Sequence, residues 1–256
     1  MIFDIAQMAG MACVFMRMTG CILFNPIFGR RNFPVMFQIG LTLGFTVMVV
    51  TYSNVLVDFT DVHFLETCAI LMKELFVGFT MGVIVSLFTY AVILGGEFLD
   101  FKMALSMSKM YDPQSGVQMS VSATFMNLMF IFIFFGMNGH LTLISLFLHS
   151  AELVPYGQVT FLNPELTTVV INVFIQCTIL GLKLSIPIVG IVFLIEMAVG
   201  VLMKTIPQIN VFVLSLPIKI LVGTTMLMVI FTPLSNAIEN LVATLFQTSA
   251  SMWFLF

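Results

Sequence analysis

Long apolar runs separated by short polar clusters set the organisation of this chain. The runs cover roughly 5–28, 35–57, 64–99, 120–149, 165–203 and 211–236, and a weaker segment, 238–256, follows. No Asp, Glu, Lys or Arg occurs from Pro113 to Ala151, from Asn32 to Val57, or from Leu75 to Gly96. A bilayer-crossing helix needs about 20 mainly apolar residues, so each stretch predicts a membrane helix. The runs are apolar on all sides. Barrel strands would instead alternate in polarity over segments of about ten residues. The expected fold class is therefore all-α: an integral membrane protein of helical hairpins with about six long apolar helices.

The polar clusters read as turns and helix ends, because Pro and Gly recur in them. They are Gly29-Arg30-Arg31-Asn32-Phe33-Pro34, Asp58-Phe59-Thr60-Asp61, Asp112-Pro113-Gln114-Ser115-Gly116, Pro155-Tyr156-Gly157, Asn163-Pro164 and Lys204-Thr205-Ile206-Pro207-Gln208. No low-complexity linker separates the runs, so residues 1–256 are expected to form a single domain. The first connection carries Arg30 and Arg31, the third Lys102 and Lys109, the fifth Lys204. The second and fourth carry Asp58, Asp61, Glu152 and Glu165 without any Lys or Arg. The positive-inside rule turns the first, third and fifth toward the cytoplasm and places the N-terminus outside. The first charge, Asp4, is negative, and the first apolar run continues past Arg17. A retained helix is expected there rather than a cleaved signal.

Two runs are too long for one crossing. As single helices, 64–99 would reach about 54 Å and 165–203 about 58 Å, against a hydrocarbon core of about 30 Å. Either they break, with Gly95-Gly96 ending the first and Pro187 and Gly190 kinking the second, or they continue beyond the bilayer into an assembly.

Composition sharpens this picture. The chain is 60% hydrophobic and 8% charged, with mean hydropathy +1.14. A soluble chain is about one quarter charged, so lipid or other subunits must cover this surface. Nine Lys+Arg against twelve Asp+Glu leave no basic patch for nucleic acid. Cys13, Cys21, Cys68 and Cys177 lie in apolar segments with no CxxC pair, which argues against a disulfide framework or a zinc site. Arg17, Lys73, Glu74, Glu97, Lys183 and Glu196 stand inside apolar segments. Each costs about 2.5–3.5 kcal/mol at a bilayer centre. They are expected to line a lumen or proton path, or else to pair with ions of other subunits or lie near a helix end. Lys73 and Glu74 are adjacent and point about 100° apart.

Gly40-xxx-Gly44 and Gly78-xxx-Gly82 allow close helix approach. Met103, Met107 and Met110, at i, i+4 and i+7, are expected on one helical face. No Cys or His completes a copper set there, so they serve deformable packing. Ser145 and His149 share the i, i+4 spacing of a nucleophile and its base. No strained turn presents the serine and no third group orients the histidine. His140 reads as a helix-end or interface residue. The chain has no P-loop, GxGxxG or HExxH motif. No enzyme activity, cofactor or metal is expected.

Two longer motifs carry more information. Asn138-Gly139-His140-Leu141-Thr142-Leu143-Ile144-Ser145-Leu146 resembles a hallmark of the FliR/SctT family, the export-gate proteins of flagella and virulence type III secretion. Lys204-Thr205-Ile206-Pro207-Gln208-Ile209-Asn210-Val211-Phe212, followed by Leu216-Pro217-Ile218-Lys219, resembles a second. Arg17 with Gly20 and Pro26, Glu74-Leu75 with Gly78 and Gly82, and the Met-flanked Asp112-Pro113 turn match the family pattern in the same order along the whole chain. Lys204 stands where the family often has Arg, and Ser215 where it often has Gly.

The resemblance implies a single-copy subunit of a helical, cone-like pore raised largely out of the membrane plane, beside FliP-like and FliQ-like subunits. An FlhB-like switch protein contacts the closed gate, and unfolded export substrates pass through it. The implied location is the bacterial inner (cytoplasmic) membrane, in the flagellar basal body, with membrane lipid as a further contact. The loop 106–119 is the implied plug, through Met107, Lys109, Met110, Tyr111, Asp112, Pro113, Gln114, Ser115, Gly116 and Met119. Arg17, Pro26, Glu74, Gly78, Gly82, Gly139, His140, Lys204, Pro207, Gln208, Asn210, Pro217 and Lys219 are the implied assembly and packing residues. Soft Met side chains and a Gly-containing turn suit a plug that must seal against ions yet yield to a polypeptide. The intramembrane charges and Pro187 motivate a competing reading, a stand-alone secondary transporter or channel for a small solute.

Overall fold

The computed structural model describes residues 5–29, 33–53, 57, 63–107, 120–157, 164–206 and 211–253. Among them all regular structure is helical: α1 (Ile5–Leu23), α2 (Val35–Ser53), α3 (Phe64–Lys102), a 3₁₀ turn (Leu105–Met107), α4 (Val121–Gly136), α5 (Gly139–Leu153), α6 (Pro164–Thr205), α7 (Val211–Val229) and α8 (Phe231–Met252). The protein is an all-α membrane protein. Three helices are long and apolar enough to cross a bilayer (Val35–Tyr52, Phe64–Lys102 and Leu166–Thr205), or up to five spans if the broken pairs α4–α5 and α7–α8 each count as one. The expected count of about six long apolar helices is not confirmed among the described residues.

Two features depart from the apolar pattern. The charge-free run 120–149 is broken after Met137, whose N–H closes α4 on Ile133 O at 2.9 Å. Asn138 then takes a left-handed conformation (φ 57°), which Asn tolerates better than most residues, and its carbonyl accepts from Leu141 and Thr142 to start α5. Hydropathy does not register this break because its residues are uncharged. Conversely, α3 runs unbroken through Gly95-Gly96 for 39 residues, and α6 through Pro187 for 42. At 1.5 Å per residue they are about 59 and 63 Å long. Gly95 and Gly96 mark close packing instead of a helix end. A Cβ on Gly95 would stand 2.8 Å from Gly181 O of α6, and one on Gly96 would meet the Ala123 backbone of α4.

The backbone forms two compact units. Unit 1 comprises Met1–Phe88, Asn138–Phe174 and Ala243–Phe256; unit 2 comprises Thr89–Met137 and Ile175–Val242. In unit 1, α1 packs on α2, and α2 on α5. The N-terminal half of α3 crosses α1 at glycine. A Cβ on Gly20 would lie 2.5 Å from Leu75 O, and a Cβ on Gly78 would run into the Arg17 carbonyl and stand 2.8 Å from Cys21 N. Gly82 faces Phe24 in the same crossing. The second small-residue motif differs, because among the described residues nothing lies within 4 Å of a Cβ on Gly40 or Gly44. Gly78→Ala is therefore expected to push α1 from α3 and cost about 1–3 kcal/mol, as overpacking does. Gly40→Ala should leave the isolated chain as stable as before. Thermal unfolding in mild detergent compares them, and equal midpoints would contradict the crossing.

In unit 2, Ser120 caps α4 by accepting from Ala123 N at 3.3 Å, and buried Asp100 of α3 accepts from Ser122 N at 3.2 Å. A carboxylate is favourable at the positive end of a helix. The end of α3 and the start of α4 are thus tied together. Met103 N–H still bonds Leu99 O, but Ala104 is left-handed (φ 62°) and ends the helix. Met103 and Met107 consequently do not share a helical face; Met103 is buried and Met107 lies in the 3₁₀ turn. Met110 lies outside the described residues.

Candidate functional site

The chain's most elaborate polar arrangement is sealed inside unit 1. Arg17 of α1 donates from Nε to Glu74 Oε2 of α3 at 2.7 Å, and both side chains have 0% exposure. Its Nη1 donates to Ser150 O at 3.0 Å and Val154 O at 2.9 Å. These carbonyls sit at the C-terminal end of α5, where the dipole is negative, and Ser150 O also accepts the Val154 N–H at 3.0 Å. The guanidinium carbon stands 3.9 Å from the centre of the Tyr156 ring, a cation–π contact. Glu74 Oε1 accepts the N–H of Gly157 at 2.8 Å. Gly157 has φ +83°, which a residue with a side chain rarely adopts. Burial pushes the Tyr156 phenol up to about 12, against the lowering pull of Arg17, so it stays neutral at physiological pH.

The local cause is the Gly20–Gly78 crossing. Gly78 is one turn beyond Glu74, and it allows α3 to approach the Arg17 backbone closely. The turn 154–157 is then fastened by one cation and one anion. The arrangement positions structure and offers no reacting group to solvent.

The other predicted residues are more dispersed. Pro26 lies in the turn after α1, where Asn25 Oδ1 accepts from Ile27 N at 2.8 Å. Gly139 is buried and His140 half-buried at the start of α5. Lys204 is exposed at the end of α6. Pro207, Gln208 and Asn210 lie outside the described residues, as do Lys109, Met110, Tyr111, Asp112, Pro113, Gln114, Ser115, Gly116 and Met119 of the loop. Pro217 is inside α7, and Lys219 of the same helix pairs with Glu196 of α6 at 2.6 Å. The intramembrane charges thus include two intrachain ion pairs, Arg17–Glu74 and Glu196–Lys219.

Sequence reasoning singled out Arg17 and Glu74 but did not connect them to Ser150, Val154, Tyr156 and Gly157, and it missed Asp100. Only the Pro155-Tyr156-Gly157 turn was visible, without its target. His149 Nδ1 lies 2.8 Å from Ser145 O and 3.4 Å from Ser145 Oγ. The shorter bond makes Nδ1 the donor to a carbonyl, so this nitrogen is not placed to take the serine proton. Among the described residues, no three His, Cys, Asp or Glu side chains gather as a metal site would require.

Comparison with known proteins adds the family context. Residues 8–245 match the model of the bacterial export proteins, family 1. The flagellar biosynthetic protein FliR of Bacillus subtilis (strain 168) is 28% identical over 244 residues, covering 93% of this chain and 92% of that protein. FliR of Escherichia coli (strain K12) is 24% identical over 237 residues, covering 93% and 90%. The surface presentation of antigens protein SpaR of Salmonella typhimurium is 26% identical over 187 residues, covering 72% and 69%.

Proposed function

We propose, from the premise that this chain belongs to the bacterial export proteins, family 1, that it is one subunit of the closed pore of a protein-export gate. The chain is a membrane component of a flagellar or type III export apparatus and belongs to a family not known for catalysis. The observation that carries the gate reading is the family match across 8–245, nearly the whole chain. The chain functions as a single-domain subunit beside FliP-like and FliQ-like subunits in the bacterial inner membrane, within the flagellar basal body. An FlhB-like switch protein contacts it, and unfolded export substrates pass through the common pore.

Burial supports an assembly. Within an 18-residue apolar window of each helix, 61% of residues are buried in α3 but only 22% in α2 and 17% in α6. The chain covers the middle of α3 more fully than α2 or α6, which it leaves largely to lipid or neighbours. The loop 106–119 is the plug of this pore. Asp100 supports that role, because its bond to Ser122 N ties the end of α3 to the start of α4 at the two ends of the loop. The Pro187 break that motivated a stand-alone transporter is absent, since α6 is continuous there.

Purification in mild detergent with the co-expressed subunits tests the proposal. The chain is expected to co-purify with FliP-like and FliQ-like partners. A chain that is stable alone and recovers neither would contradict it.

A further inference from the structure

Two lysines of unit 2 stand in long apolar helices, and the chain satisfies them differently. Lys219 of α7 donates to Glu196 at 2.6 Å. Lys183 of α6 makes no hydrogen bond or ion pair among the described residues. It is 19 residues from Pro164 and 22 from Thr205 (183 − 164 and 205 − 183), near the middle of the helix. The nearer helix end is thus about 28 Å away.

Lys183 lies in a cleft of about 300 Å³ between α6 and the first half of α8. From α6 come Lys183, Leu184 and Pro187; from α8 come Pro233, Ala237 and Asn240. The α8 residues fall at i, i+4 and i+7, so they form one stripe along the helix. The walls are mostly apolar, and Asn240 already has a partner within the chain. Pro187 adds a second polar feature. It has no N–H, so the carbonyl four residues earlier, that of Lys183, loses its helical donor. One residue thus presents an unpaired ammonium and a backbone acceptor without its helical donor to the same apolar cleft.

Charge complementarity selects the occupant. An unpaired ammonium in apolar surroundings calls for a carboxylate or phosphate. A cleft near 300 Å³ is at the small end of the about 300–1,000 Å³ range that holds small molecules. It admits a few side chains of a helix more readily than the branched acyl chains of a phospholipid. The exposed apolar flank of α6, with Ile179, Leu182 and Ile186, continues the surface beside the cleft.

We propose that this cleft seats an apolar helix of a neighbouring gate subunit that brings one Asp or Glu carboxylate to the Lys183 ammonium. The inference rests on the reading of this chain as a gate subunit.

The test uses the full chain co-expressed with its partner subunits and purified in mild detergent. Lys183→Arg is expected to keep the wild-type yield of complex, and Lys183→Met to lose at least about tenfold. Lys183→Glu should recover when the contacting carboxylate of the partner is exchanged for lysine. Undiminished complex with Lys183→Met overturns the seat. Failure of the wild-type chain to recover any partner overturns the gate reading instead. If Lys183→Met lowers the amount of chain itself, a photo-crosslinking residue at Ala237, with Lys183 intact, decides. An adduct to a partner helix within a turn of an Asp or Glu supports the seat. An adduct to phospholipid alone, or none, overturns it.

Discussion

Glu74→Ala is expected to destabilise the chain by about 3–5 kcal/mol, the cost of leaving a buried charge without its partner. Arg17 has no exposed surface through which to regain water, and Glu74 also holds the Gly157 N–H. Arg17→Met should cost a similar amount, because it strands Glu74 and takes the guanidinium from the carbonyls of Ser150 and Val154, of which Ser150 keeps its bond from Val154 N. The double variant Arg17→Met/Glu74→Leu distinguishes an ion pair from simple packing. Replacing a buried pair by apolar residues of similar size is often neutral or stabilising, so the double variant is expected to be more stable than either single one. Denaturant unfolding in mild detergent measures all three. Additive losses in the double variant would sink the account of a coupled pair. The single variants should also lower protein export, since the turn 154–157 loses its anchor.

Deleting residues 107–118 is expected to raise ion conductance through the assembled complex by about tenfold or more, since constrictions of this kind close by excluding water and ions. The deletion leaves Asp100 and Ser120 in place, so the α3–α4 junction should survive and the complex should still assemble. Single-complex conductance in planar bilayers provides the measurement. Unchanged conductance in a correctly assembled complex would remove the plug assignment. Reduced assembly would show that the loop is a packing element.

The class of this protein was legible early because lipid imposes a strong compositional signature. Helix type, approximate positions and the over-long third and sixth elements follow from uninterrupted apolar runs. The glycines were less legible. Gly40-xxx-Gly44 and Gly78-xxx-Gly82 have the same spacing, yet only the second packs within the chain, at α1. A local motif states that a helix can be approached and leaves unspecified what approaches it. The break at Asn138 and the continuity at Pro187 were similarly hidden. Backbone dihedrals at an uncharged Asn leave no mark in hydropathy, and a helix held by its neighbours tolerates one missing hydrogen bond.

The intramembrane charges show the division most clearly. By itself the sequence determined that Arg17, Glu74, Glu196 and Lys183 would be costly in an apolar setting, and its motifs pointed to an export family. Only the tertiary structure decided that Arg17 answers Glu74, that Glu196 answers Lys219, and that Lys183 has no partner among the described residues. Partners separated by 57 and 23 residues meet because helices cross. That geometry depends on side-chain volume and close approach across the fold, which no local window along the chain contains.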